Sequence, residues 1–334
     1  MRIIVTIGLL FASTVATAHH SRSEYQFDEL TDLSGTVVSV SWRNPHIEFR
    51  LRESQSGEEW HVEGNSAISM NAMGVPPDSL RPGMSVRVAG GASVRRPNRM
   101  EMTNLLLPDG VEIAISASFA PRWSERVLGE SQILEPSGRL PDDGRGIFRV
   151  WTWEPVKEFW MIRPPDTYPL TDAAGAAAAA WDEDDPEDNL ILQCIGPGMP
   201  ATMGNPHPIE FVELDDAIEL RSQEFDLIRT IHLDTSTAPE SVPASPLGYS
   251  VGRWEGNTLV VSTTRLNAPY FNRQGVPQSE SARVDERFTV DAEAGRLNYL
   301  LSVTDPVNLT EPFVHELFWN WNEDAYLQRY DCRL

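Results

Sequence analysis

Between residues 30 and 110, apolar and polar positions alternate in short runs broken by turn residues. "LSGTVVSVSW" has period 2, and "HIEFRLRE" and "EEWHVEG" follow with "ESQSGE" as the turn between them. "NSAISMNAMG" has the look of one short helix, capped by Asn65 or Ser66 and stopped by Gly74. "RPGMSVRVAGG" and "NRMEMTNLLLPDG" predict two more strands. Five strands with a helix after the third is the order of an OB-type Greek-key barrel; another five-stranded meander is the alternative.

Residues 115–165 keep no period, because Pro, Gly and Arg interrupt it. "TDAAGAAAAAWD" predicts a helix from Thr171, since a run of Ala favours helix over any other state. "DEDDPEDN" ends it as an acidic turn. Beyond Cys194 strands return at short spacing: "HPIEFVELDD", "AIELRSQEF", "LIRTIHLD", "YSVGRWEGNTLVVSTTRL", "RVDERFTV", "GRLNYLLSVTD", "PFVHELFWNW" and "LQRYDCRL". The expected fold class is therefore mainly all-β. An OB-like five-stranded barrel is followed by a larger antiparallel up-and-down β-barrel or curved sheet, with one Ala-rich helix between them. The expected divisions are a signal peptide over 1–18, the OB-like domain over 19–112, a connecting segment over 113–190 and the second barrel over 191–334.

The first 18 residues read as a secretory leader. Met1-Arg2 is basic, Ile3 to Ala12 is apolar, and Ala16-Thr17-Ala18 is a small-x-small cleavage site. Cleavage after Ala18 makes His19 the first residue of a periplasmic chain with no membrane insertion. The formal charge of −22 repels phosphate backbones and anionic lipids, which argues against nucleic-acid and membrane-surface roles and suits cations. Two cysteines, Cys194 and Cys332, read as a disulfide in an oxidising compartment. The one lysine, Lys157, has no motif around it. No βαβ rhythm, G-x-G-x-x-G or Walker motif occurs, so no nucleotide cofactor is expected. "GYSVG" has the letters of a nucleophile elbow but runs into a strand, where the elbow needs a strand–turn–helix setting.

Two constellations carry candidate chemistry. His19, His20 and His46 form the first. An N-terminal His binds a metal through its α-amine and one ring nitrogen, and a second imidazole gives a planar three-nitrogen set that Cu(II) favours. The α-amine, with a pKa near ~8, gives up its proton readily on binding. The alternative is a polar tail left by processing, with His46 satisfied by backbone. His61 and Glu63 alternate onto one face and are a further His/Glu pair, or a solvated strand face. The second constellation is a polar pocket in the larger barrel, with Arg253, Glu255, Glu286 and His315 as ligand candidates, or else an Arg/Glu ladder across neighbouring strands. One echo runs through the chain: "NPHIEF" at 44–49 recurs as "NPHPIEF" at 205–211.

Two resemblances follow from quoted motifs. "HHS" at 19–21, "GTVVSVSWRNPH", "WHVEG" and "LRPGMSVRVAGG" together resemble a family of uncharacterised exported bacterial proteins, over about residues 16 to 112. Arg22-Ser23 stands where many relatives have Phe-Ala. "GYSVGRWEGNTLVVSTT", "QSE" and "ERF" resemble a second uncharacterised exported family, over about 190 to 334. Asn257 stands there in place of the usual Asp, so no carboxylate role carries over to it. The resemblances imply export, two β domains and a special standing for the His-His start, and they supply no reaction. The expected function is metal binding of copper type through His19, His20 and His46. A lipocalin-like carrier of a small hydrophobic ligand in the second barrel, and a periplasmic enzyme on a small organic substrate, are the alternatives.

Overall fold

The computed structural model describes residues 25–115, 120–128, 136–153, 167–182, 185–204, 207–233 and 241–332. The first barrel is built from β1 (Tyr25–Ser41), β2 (Glu48–Glu53), β3 (Glu59–Glu63), β4 (Ser85–Ser93) and β5 (Arg99–Leu106), with α1 (Ala67–Ala72) between β3 and β4. Ser66 is the N-cap of α1, its hydroxyl accepting from Ser69 N at 3.1 Å. β1 pairs antiparallel with both β2 and β4, β4 with β5, and a parallel β3–β5 pair closes the ring. That order, 1-2-3-5-4 with the helix after the third strand, is the OB topology the alternation predicts. β1 is 17 residues long and serves two neighbours because register shifts, at Val37/Ser39 against β2 and Gln26/Thr31 against β4, bend it around the core. Val37, Phe49, Leu51, Val62, Val88 and Met100 fill the interior.

Two short strands, β6 (Glu112–Ala114) and β7 (Val127–Leu128), extend the edge of β5. Next come β8 (Val150–Trp153) and α2 (Asp172–Ala180), whose N-cap is Thr171 as expected. The second barrel follows with β9 (Ile209–Glu213), β10 (Ala217–Ser222), β11 (Leu227–His232), β12 (Tyr249–Glu255), β13 (Thr258–Thr264), β14 (Arg283–Asp291), β15 (Arg296–Thr304) and β16 (Phe313–Asn320).

It closes with nine strands in the order 10-11-12-13-14-15-16-8-9. Two features depart from a simple up-and-down reading. β11 and β12 pair in parallel, since the long connection between them brings the chain back to the end it left. β8, from the stretch expected to be a connector, fits between β16 and β9. Its "VWTW" is too short and too uniformly apolar to show a period.

Ring side chains fill this barrel. Phe211 meets Phe288 at 5.2 Å between centroids, Phe288 meets Tyr299 at 4.8 Å, and Tyr299 meets Trp319 at 5.4 Å. Cys194 and Cys332 form a disulfide, Cα–Cα 5.7 Å, across 138 residues. On the loop-entropy account a closure of that length contributes about 3–5 kcal/mol. The C-terminal segment it holds reaches the first barrel: Cys332 bridges to Asn44, and Asn44 Nδ2 donates to the Tyr330 carbonyl. Among the described residues no helix is long and apolar enough to cross a membrane.

Candidate functional site

His46 sits just past the end of β1, in the loop that Ile47 and Gly64 clamp by two backbone hydrogen bonds, Gly64 N to Ile47 O at 2.8 Å and Ile47 N to Asn65 O at 3.0 Å. Its Nδ1 lies 3.1 Å from the Gly64 carbonyl and 3.5 Å from Glu63 Oε1. Both neighbours are acceptors, so Nδ1 donates, as it does where an outer partner orients a metal-binding imidazole. The His46 side chain is 41 % exposed, whereas Glu63 behind it is 3 % exposed. Glu63 is held by Arg99 Nη2 at 3.3 Å and by the Tyr25 hydroxyl at 3.1 Å, and Arg99 Nε donates to the same hydroxyl at 3.1 Å. Burial opposes the Arg99 charge, and Tyr25 and Glu63 more than offset it, so its pKa is raised.

Tyr25 therefore brings the start of β1 to within one carboxylate of His46. His19 and His20 lie outside the described residues. His19 is six residues before Tyr25, a stretch that extends to about 20 Å at most. His61 pairs with Glu48 across the strands at 3.2 Å, while Glu63 turns to His46 and Arg99. Among the described residues no three His, Cys, Asp or Glu stand together as a metal set.

The four pocket candidates of the second barrel do not share one place. Arg253 and Glu255 are exposed and join Arg287 in a surface ladder, at 2.6 and 2.9 Å. Glu286 points to the interior. There it pairs with Arg229, whose Nη1 donates to Glu286 Oε1 at 3.0 Å and whose Nη2 donates to Oε2. Arg229 also donates to Ser250 Oγ at 2.9 Å and Thr263 Oγ1 at 2.6 Å, and the Tyr299 hydroxyl donates to Glu286 Oε1 at 2.9 Å. Burial first, and Glu286 second, push the Tyr299 hydroxyl far above the usual phenol range, so it stays a donor. His315 stands opposite Leu301 in the register, its ring stacked on Phe313. Arg229 was not among the sequence candidates. The signal was present, since it shares an otherwise apolar strand face with Leu227 and Ile231.

A second buried pair lies at one end of the barrel. Glu224, in the turn after β10, pairs with Arg273, and His207 Nε2 is 3.8 Å from Glu224 Oε1. Phe225 and Asp226, the next two residues, both adopt left-handed backbone, φ 55° and 51°, a sparsely populated region for a bulky side chain. Asp226 Oδ1 accepts from Tyr330 N at 2.9 Å, and the Tyr330 ring packs on Phe225 and edge-on to His207, 5.8 Å between centroids. Burial holds the His207 pKa below its usual value; Glu224 opposes this and Arg273 adds to it. The two copies of the Asn-Pro-His echo thus meet through one residue, because Asn44 binds the Tyr330 carbonyl and the Tyr330 ring faces His207. Among the described residues, Glu224 Oε2, Arg273 Nε and Asn272 Nδ2 are buried without a partner.

Fold and sites together define a two-barrel β protein, with an exposed imidazole on the first barrel and buried polar groups in and beneath the second. Residues 8–100 match the model of a family of unknown function (DUF6152), so the N-terminal part is similar to an uncharacterised family. No curated protein matches the chain.

Proposed function

We propose that the chain is an exported metal-binding protein, cleaved after Ala18, that holds a copper-type ion through the His19 amine and ring together with His20 and His46. The observation that carries the reading is the Tyr25–Glu63–His46 arrangement. It holds the start of β1 beside an exposed imidazole whose Nδ1 is tied to the Gly64 carbonyl, the kind of outer contact that orients a metal-binding histidine. The acidic balance of the chain favours cation approach, and the Cys194–Cys332 disulfide suits an oxidising compartment. A lipocalin-like carrier finds less support, because rings occupy the barrel interior where its ligand would sit.

The test is a copper titration of the chain beginning at His19, by calorimetry with EPR, beside the same chain carrying one extra N-terminal Ala and beside His46→Ala. Tight one-to-one binding is expected, weakened by orders of magnitude by the added Ala and strongly by His46→Ala. Weak binding, equal in all three forms, refutes the assignment.

A further inference from the structure

Residues 325–331, close to the C-terminus, belong to no helix or strand. Backbone outside any ladder must find its hydrogen bonds elsewhere, and here side chains of both barrels supply them. Gln223 Oε1 accepts from Gln328 N at 2.8 Å and Asp226 Oδ1 accepts from Tyr330 N at 2.9 Å, both in the turn after β10 of the second barrel. The Tyr330 carbonyl accepts from Asn44 Nδ2 of the first barrel. Tyr330 is buried, its ring against Phe225 and His207. Cys332 then ties the end of this strap to Cys194.

Asn44 is buried and works in two directions. Its Nδ2 holds the strap, and its Oδ1 accepts from Ile68 N, in the first turn of α1, at 3.3 Å. It also begins the loop that carries His46. One side chain thus joins the strap, the β1–β2 loop and the helix. The anchorage on the second barrel is strained. Among the described residues six that are not glycine have left-handed backbone, and four of them are here: Cys194 at φ 57°, Phe225 at 55°, Asp226 at 51° and Asp331 at 47°. Such backbone persists only where surrounding contacts impose it, and it gathers at switch regions. Gly196, two residues past Cys194, lies so close to Phe225 that a Cβ would stand 2.9 Å from the Phe225 Cβ, so the cysteine loop and the turn after β10 pack as one. Neither cysteine is buried, and access is what exchange with a thiol in solution requires.

We propose that residues 325–332 are a redox-released strap. With Cys194–Cys332 closed, the strap holds Asn44, and through it α1 and the His46 loop, against the second barrel. Reduction by a dithiol releases the strap and uncouples the barrels, while each keeps its fold because its sheet closes within itself. In the exchange one thiolate of the dithiol bonds to one cysteine sulfur as the Cys194–Cys332 bond breaks. Its second thiolate then displaces that cysteine, the dithiol closes to its own disulfide, and Cys194 and Cys332 each take up a proton as thiols. The strap acts in this way whether or not a metal binds at His46.

The test is amide hydrogen exchange, read by mass spectrometry on the chain beginning at His19 before and after treatment with dithiothreitol, with alkylation confirming two free thiols. Residues 325–332 report the strap, 66–72 report α1 with its Ile68 N–H, and 297–303 report β15 in the second barrel. Reduction should speed exchange by about tenfold or more in the strap, speed it to a smaller extent in α1, and leave β15 unchanged. Cys194→Ser combined with Cys332→Ser should give the reduced pattern without any reductant. Asn44→Ala with the disulfide closed should speed exchange in α1, and reduction should then add nothing there. The proposal is overturned if the strap keeps its protection after reduction, if α1 does not respond, or if α1 still responds in Asn44→Ala. Loss of protection in all three segments together also overturns it, because the disulfide is then a staple of the whole fold.

Discussion

In the interior of the second barrel, Arg229 meets Glu286 with Ser250, Thr263 and Tyr299 completing the hydrogen bonds of both charges. At the barrel's end, Arg273 meets Glu224 with His207 and Tyr330 close by, and an oxygen of one charge and a nitrogen of the other stay unmet among the described residues. The residue types are the same and the chemistry differs. A buried pair with every atom engaged has no capacity left for a ligand and acts as structure. A buried pair with unmet atoms carries a desolvation cost that its hydrogen bonds do not fully offset. The distinction lies in how fully each polar atom is used, and burial alone does not draw it.

The largest effect that could break this comparison is on stability. Glu286→Gln leaves Arg229 charged and uncompensated in the interior, and should cost about 3–5 kcal/mol in denaturant unfolding. The double replacement Arg229→Met with Glu286→Leu should recover most of that, because two apolar side chains remove both desolvation costs. Glu224→Gln should cost less, about 1–3 kcal/mol, because the Arg273 side chain is 22 % exposed and water takes over part of its solvation. If Glu224→Gln proves the more destabilising, the end pair is the structural one and the assignment is reversed.

A smaller effect separates the pairs by pH. Burial places the folded pKa of His207 below the ordinary 6.5. As pH falls below 6.5 the unfolded chain takes up this proton first, so the folded state loses stability progressively until its own, lower pKa is passed. Above 6.5 the contribution is complete. Unfolding midpoints taken at about pH 7.5 and about pH 5 should therefore fall further for the parent than for His207→Gln. Equal falls would mean that His207 is not held neutral beside Glu224 and Arg273.

The first barrel was legible because its strands are short runs set apart by turn residues, "LSGTVVSVSW" with a period of 2, and α1 carries its own cap in Ser66. The second barrel was legible as strands but not as a closure. Periodicity gives a strand's faces and not its direction or neighbour, so the parallel β11–β12 pair and the insertion of β8 left no trace. His46 stands out in the sequence because a short motif names it. Glu224, Arg273 and Tyr330 do not, because a turn, a loop and the C-terminal segment bring them together from three distant stretches. Arg253 and Glu255 were placed with Glu286 although Glu286 is in the interior, because two faces of neighbouring strands cannot be matched without the register.

That register supplies the smallest expected effect and the sharpest control. Glu255 lies on the outer face with its carboxyl held below the usual range, by Arg287 first and Arg253 second. It has the same kind of partners as Glu286, in water. Solvent screens both arginines, and the long side chains lose rotamer freedom when they pair, so the ladder adds little to the folded state. Glu255→Gln should leave the unfolding midpoint where it is, in a series in which Glu286→Gln and Glu224→Gln both lower it. A fall in midpoint comparable to that of Glu224→Gln would mean that pairing with arginine, and not the completeness of a buried network, sets the order of the three glutamates.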